Sequence, residues 1–177
     1  MEYVLIALVV FSAAAVTFLA VAQSGDPPSP GSPLPAFRLG GTDGASHSDE
    51  TLRGRPAVIF FFPMDETPEC LAVARAFAEA APRIEAAGAK LLAIAVATPE
   101  AASRYALAHS LPYPILADAD GRAARAFGSL VNLVAMRFAK KLTVLAGPGG
   151  RVKAVWRDNA GTDSVAQVLA RLAPPAP

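Results

Sequence analysis

Residues 57–62, Ala-Val-Ile-Phe-Phe-Phe, run directly into Pro63-Met64-Asp65-Glu66-Thr67-Pro68-Glu69-Cys70 and then into an alanine-rich stretch over residues 71–81. The first run is apolar and β-rich, which predicts a buried strand. The alanine-rich stretch has Val73 and Phe77 four residues apart, which predicts a helix. A strand, a turn and a helix in immediate succession mark an α/β chain and place Cys70 in or beside the first turn of that helix. Unpaired backbone N–H groups and the positive end of the helix dipole favour an anion there. The Cys70 thiol is therefore expected to have its pKa lowered toward the reactive thiolate. Thr67, three residues earlier, carries a hydroxyl that can donate and accept. The competing reading is that Cys70 is an inert buried thiol, a common fate of lone cysteines.

The chain has 177 residues, 53% of them apolar, enough for the full core of one domain with extensions. The formal net charge is +1 and the charges are scattered. Without a basic run or aromatic–basic interleaving, a nucleic-acid partner is not expected. A single cysteine excludes an internal disulfide and a cysteine-based zinc site. His47 and His109 are far apart and lack ligand spacing, so no metal or other cofactor is expected.

Residues 3–22 contain no charge, no Gly and no Pro, and their length suits a helix crossing a bilayer. Two readings compete: a single-pass anchor over residues 1–22, or a secretory signal cut after Ala20-Val21-Ala22. The tip Met1-Glu2 has no positive charge and the apolar run is long for a signal, which favours the anchor. The default topology for such a segment is a small cytoplasmic tip and an exported domain, so the expected location is the cell membrane with the domain on the periplasmic side. Residues 23–35, rich in Pro, Ser and Gly, are expected to form an extended spacer that holds the domain clear of the lipid.

The folded domain is expected over residues 36–174. It opens with a short strand at 36–39 and a Gly turn, and a helical turn at 48–55 leads into the 57–62 strand. The helix after Cys70 is expected to bend or break near Pro82. Residues 91–96 predict a second buried strand, and Thr98-Pro99 a capped start for a helix over 100–109. A short strand at 113–116, a turn at Asp118–Gly121 and a short helix to Phe127 follow. Asp118 and Asp120 lack calcium-loop spacing and read as turn formers. Residues 142–145 and 152–156 flank Gly147-Pro148-Gly149-Gly150 and predict a hairpin, and a last amphipathic helix spans 163–172. The order β-β-α-β-α-β-α-β-β-α predicts a mixed sheet with helices on both faces.

The pattern Pro63-x-x-x-Thr67-x-x-Cys70 after a Phe-rich strand resembles the active-site signature of the peroxiredoxins of the AhpC/TSA family, and its wording is similar to the peroxiredoxin Q, or bacterioferritin-comigratory, branch. The similarity extends over about residues 35–172, through PAFRLGGTDG and PYPILADADGRAARAFG. The resemblance implies a thioredoxin-like fold and the thiol-dependent reduction of hydrogen peroxide or organic hydroperoxides. Cys70 would be the attacking thiolate, and its N–H and the Thr67 hydroxyl would be donors to the reacting oxygens. Pro63 would shape the turn and shield the sulfur. Asp65, Glu66 and Glu69 are expected to be solvated turn residues whose charge opposes thiolate formation.

Two departures from the family pattern stand out. The resolving cysteine that relatives often carry five residues on is Arg75 here, so the sequence implies a one-cysteine form that draws on an external thiol or a thioredoxin-like reductant. The family's arginine beside the thiolate falls at Lys141, which keeps the charge without the planar fork; Arg137 is a second candidate for that place. A disulfide reductase would need Cys-x-x-Cys, and Thr67 holds the first of those positions. The alternative reading is a catalytically weakened, membrane-tethered thioredoxin-fold subunit that docks on a membrane protein complex.

Overall fold

The computed structural model describes residues 25–133, 136–157 and 161–172, so the anchor expected over residues 1–22 lies outside the described residues. Among the described residues no helix is long and apolar enough to cross a membrane.

A five-stranded sheet organises the domain. Its strands are β3 (Ala57–Phe61), β4 (Lys90–Ala95), β5 (Ile115–Ala117), β8 (Leu142–Ala146) and β9 (Val152–Arg157), in the order β5-β4-β3-β8-β9. β3 pairs in parallel with β4 and antiparallel with β8, which makes the sheet mixed. Every residue of β3 is buried, as a central strand covered on both faces requires. Val58, Phe60 and Phe62 enter one core, with residues of the helices α1 (Pro68–Ala86), α2 (Pro99–Ala108) and α4 (Gly161–Leu172). Ala57, Ile59 and Phe61 enter the other, with α3 (Arg122–Ala126) and Phe127. The Phe60 ring stacks on Phe77 of α1 at 4.1 Å and meets Tyr113 edge-on at 5.3 Å, which locks the middle of α1 against the sheet. Helices on both faces of a mixed sheet are the arrangement expected from the sequence.

The fold differs from the expectation at three places. α1 runs unbroken through Pro82, which is exposed. The strand expected at 36–39 is present as β1 (Arg38–Gly40), but its partner β2 (Ser46–Ser48) and the ribbon of β6 (Leu130–Leu133) with β7 (Met136–Ala139) escape the periodicity reading. Strands of three or four residues are too short to show a period. Residues 25–35 do not behave as a free spacer. Gly31 N–H donates to Val152 O at 2.8 Å, Leu34 N–H donates to Gly150 O at 2.9 Å, and the Leu34 side chain is buried in the second core. Proline-rich chain lacks donors of its own, but here the domain supplies partners for those that remain.

Asp118 confirms the turn reading. Its buried carboxylate accepts from Ala123 N–H at 3.2 Å and Ala124 N–H at 2.7 Å and so caps α3.

Candidate active site

The octapeptide joins β3 to α1. Pairing of β3 stops at Phe61, opposite Leu142 and Ile94, and half-buried Pro63 follows two residues on. Met64 takes a left-handed backbone with φ 56°. The backbone N–H groups of Met64 and Asp65 face the Cys70 thiol and lower its pKa. Thr67 is the N-cap of α1 with Pro68 just inside, and its Oγ1 accepts the Cys70 N–H at 3.3 Å. Cys70 is thus held in the first helical turn, fully buried.

The Thr67 hydroxyl gives its single proton to Asp65 Oδ1 at 2.6 Å, and the Thr67 N–H reaches the same oxygen at 3.1 Å. Both donors that the sequence assigned to a reacting oxygen, the Cys70 N–H and the Thr67 hydroxyl, therefore already have partners. The N–H groups of Met64 and Asp65 take their place at the sulfur, a role that no side-chain pattern could announce. Asp65 is an exposed turn residue, as expected, and its carboxylate also belongs to the site. Partial burial works against its charge, but hydrogen bonds from the Thr67 hydroxyl, the Thr67 N–H and the Cys70 thiol, together with the Lys141 charge, hold its carboxyl below the usual range.

The Cys70 thiol is shifted the opposite way from the helix-terminus expectation. Burial pushes its pKa up, and the Asp65 carboxylate adds to the rise by its charge and by accepting the thiol proton. The Met64 and Asp65 N–H groups pull it down without cancelling the rise. Desolvation wins because the side chain is wholly enclosed between the sheet and α1.

Two side chains of the α2 segment close over the turn, and sequence reasoning missed both. Tyr105 donates its hydroxyl to Asp65 O at 3.2 Å, and His109 Nε2 meets the Glu66 carboxylate at 3.2 Å. Their rings are in contact, with centroids 4.4 Å apart. The signal that could have found them is their spacing of four, which puts both on one helix face. Burial, followed by the charge and hydrogen bonding of Cys70, pushes the Tyr105 phenol up, so it stays a donor.

Lys141 sits half-buried one residue before β8, and its charge acts on the Asp65 carboxylate. Arg137 does not join it: its guanidinium hydrogen-bonds to Asp120 O and lies beside Gly121, at the start of α3. Arg75 is exposed on α1. His47 is buried and meets the Asp43 carboxylate at 3.0 Å.

The AhpC/TSA family matches residues 30–155, which takes in the sheet, the turn and α1. The chain belongs to the AhpC/TSA family. Among its relatives is a Coxiella burnetii protein provisionally named a peroxiredoxin bcp, 29% identical over 148 residues, which cover 80% of this chain and 97% of that one. Another is the chloroplastic peroxiredoxin Q of Gentiana triflora, 34% identical over 105 residues, where the match covers 59% of this chain and only 48% of the plant protein. The chain thus spans about half the length of the plant relatives that it matches. Among solved structures, peroxidoxin BcpB of Mycobacterium tuberculosis superposes with a TM-score of 0.74 at 26% identity, covering 82% of this chain and 96% of that one. Peroxiredoxin Q of Xanthomonas campestris gives a TM-score of 0.68 at 26% identity, covering 77% and 89%. The AhpC/TSA domain has the thioredoxin-like α/β fold with a mixed central sheet.

Proposed function

We propose that this AhpC/TSA protein reduces hydrogen peroxide or organic hydroperoxides at Cys70. The observation that carries the reading is the placement of Cys70 in the first turn of a helix capped by Thr67, where the Met64 and Asp65 N–H groups lower the pKa of its thiol. The thiolate attacks one peroxide oxygen and forms an S–O bond as the O–O bond breaks. Sulfur is oxidised to sulfenic acid, the second oxygen leaves as water or an alcohol, and the proton given up by the thiol ends on that leaving group. The paired N–H groups hold the anionic sulfur before attack, and Lys141 supplies the positive charge at the turn. Pro63 ends the strand and shapes the turn. Thr67 acts through Asp65 and the Cys70 N–H, fixing the geometry of the first turn.

The reading is that of a one-cysteine enzyme. An external thiol, small or on a thioredoxin-like protein, condenses with the sulfenic acid to a mixed disulfide and releases water. A second thiol then restores Cys70. We further propose that residues 1–22 anchor the chain in the cell membrane with the domain on the extracytoplasmic side; the uncharged run over residues 3–22 supports this.

Stopped-flow oxidation of the full chain by hydrogen peroxide tests the activity. Cys70→Ser should abolish peroxide consumption, and Thr67→Val, which removes the cap that fixes the first turn and the partner of Asp65, should slow it. If wild-type Cys70 reacts no faster than free cysteine and Thr67→Val changes nothing, the peroxidase reading fails and the docking subunit takes its place. Retention of the chain in the membrane fraction after an alkaline wash tests the anchor; a soluble form beginning at Gln23 would show a cleaved signal.

A further inference from the structure

The ribbon β6–β7 turns an apolar face outward. Its register pairs Leu130 with Ala139 and Asn132 with Arg137 on one side, and Val131 with Phe138 and Leu133 with Met136 on the other. Leu130 and Ala139 are fully buried in the second core, and Arg137 reaches back to Asp120, so that side faces the domain. The other side carries four large apolar residues, none of which belongs to either core. Val131, Leu133 and Phe138 are partly exposed and Met136 is 59% exposed. Two adjacent cross-strand pairs of this kind make a continuous apolar strip rather than scattered surface residues.

The path of the preceding chain brings a particular environment to this strip. Gly128 has φ 67°, and a Cβ there would come within 2.4 Å of Gly25 O and 2.5 Å of Asp26 and Pro27 backbone atoms. The backbone of residues 25–27 is therefore packed against Gly128, two residues before β6 begins. The root of the ribbon is closed just beyond by Lys140 N–H to Ser129 O at 2.7 Å and Ser129 Oγ to Lys140 O at 3.0 Å. Only residues 23 and 24 separate Gly25 from the end of the uncharged segment at Ala22. Fully extended, three residue steps reach about 10 Å. The sequence suggested a thirteen-residue spacer (residues 23–35), but from Gly25 onward that stretch lies against the domain.

We propose that the outward face of β6–β7 rests in the headgroup region of the bilayer, as a second membrane contact beside the N-terminal anchor. The proposal rests on the anchor reading given above. A bilayer surface within about 10 Å of the ribbon root brings Val131, Leu133, Met136 and Phe138 to the depth at which peripheral apolar faces bind. Arg125, whose main-chain oxygen lies against Gly25, and Lys140 at the root place cationic groups level with anionic headgroups. The ribbon leads through Lys141 into β8, whose first residue pairs with Phe61 ahead of Pro63. The lipid contact thus lies toward the end of the sheet that bears Cys70.

The test uses the full chain in phosphatidylcholine–phosphatidylglycerol vesicles, with tryptophan fluorescence and chain-brominated lipid as quencher. Trp156, the natural tryptophan, belongs to the core on the opposite face of the sheet and should be unquenched. In a Trp156→Phe background, Met136→Trp and, separately, Phe138→Trp should be blue-shifted and lose about half of their emission to lipid brominated near the headgroup, as expected for shallow insertion. Leu107→Trp, on exposed α2, is the unquenched control. A chain that floats with the vesicles but leaves both ribbon tryptophans unquenched overturns the ribbon contact and spares the anchor. A chain that does not float overturns both. A blue shift that depends on protein concentration, without lipid quenching, assigns the face to a second copy of the chain and overturns the bilayer contact.

Discussion

The Thr67 hydroxyl gives its proton to the Asp65 carboxylate 2.6 Å away while its oxygen takes the Cys70 N–H. One hydroxyl therefore ties the cap of α1 to the charge beside the sulfur. Asp65→Asn keeps an acceptor for Thr67 and deletes that charge. The Cys70 pKa should fall, and alkylation by iodoacetamide at neutral pH should quicken as the thiolate fraction rises. A slower reaction would show that Asp65 helps to form the thiolate instead of opposing it.

Wild-type Cys70 should alkylate along a pH curve whose midpoint lies above the ordinary thiol value, because burial and Asp65 both raise it. Lys141→Met removes the cation that acts on Asp65, so the midpoint should move higher still. Alkylation near neutrality should slow and should recover partly at high pH, where the thiolate forms regardless. Identical curves for the two proteins would remove Lys141 from the site.

Tyr105 holds the turn from behind, through Asp65 O. Tyr105→Phe keeps the ring against Phe62 and His109 and loses one hydrogen bond, so stability should fall by about 1 kcal/mol in urea unfolding. The informative readout is the alkylation curve of Cys70. A positioning role shifts it, whereas simple loss of stability leaves it in place.

Asp118 gives a stability signature with a definite sign. Burial raises its pKa in the folded chain, against the pull of the Ala124 and Ala123 N–H groups. Between the ordinary carboxyl value and the raised one, the folded chain holds more protons than the unfolded chain. Its contribution to stability is therefore present at low pH and is lost as pH rises through that window. Asp118→Asn keeps one acceptor for the α3 cap and should flatten the slope of urea midpoints measured upward from the ordinary carboxyl value. A slope unchanged by the substitution would place the titration elsewhere.

The strand–turn–helix unit was legible because two local signals agreed: the apolar run to Phe62 and the alanine-rich helix. Thr98-Pro99 and the Gly147–Gly150 turn were legible on the same ground, since capping and turn chemistry act within a few residues. The state of the Cys70 thiol was not. Its sign depends on burial between α1 and the sheet, and the local dipole argument contains no term for burial. Tyr105 and His109 were hidden for a related reason: the contacts that define them run across about forty residues of chain. The ribbon β6–β7 was too short to register as a period, and residues 25–35 looked free because composition says nothing of the partners that a neighbouring strand can offer.

β5 and β9 are the outermost strands of the five-stranded sheet, and a bare outer strand invites another chain to pair with it. The β5 side is occupied by the Gly41 turn, with Thr42 N–H donating to Ile115 O and Ile115 N–H donating to Thr42 Oγ1, each at 3.1 Å. The head of β9 is occupied by the proline-rich stretch, where Gly31 N–H donates to Val152 O at 2.8 Å and Val152 N–H donates to Ser32 O at 2.9 Å. Farther along β9 the guard passes to exposed Lys153 and Arg157. What composition presents as a spacer is, from Gly31 to Leu34, a seal against fibre-like growth. A chain cut to begin at Ala36 should keep its catalytic turn yet scatter light on mild heating well before the longer protein does. Equal resistance in the two would show that the two cations of β9 suffice to keep its edge closed.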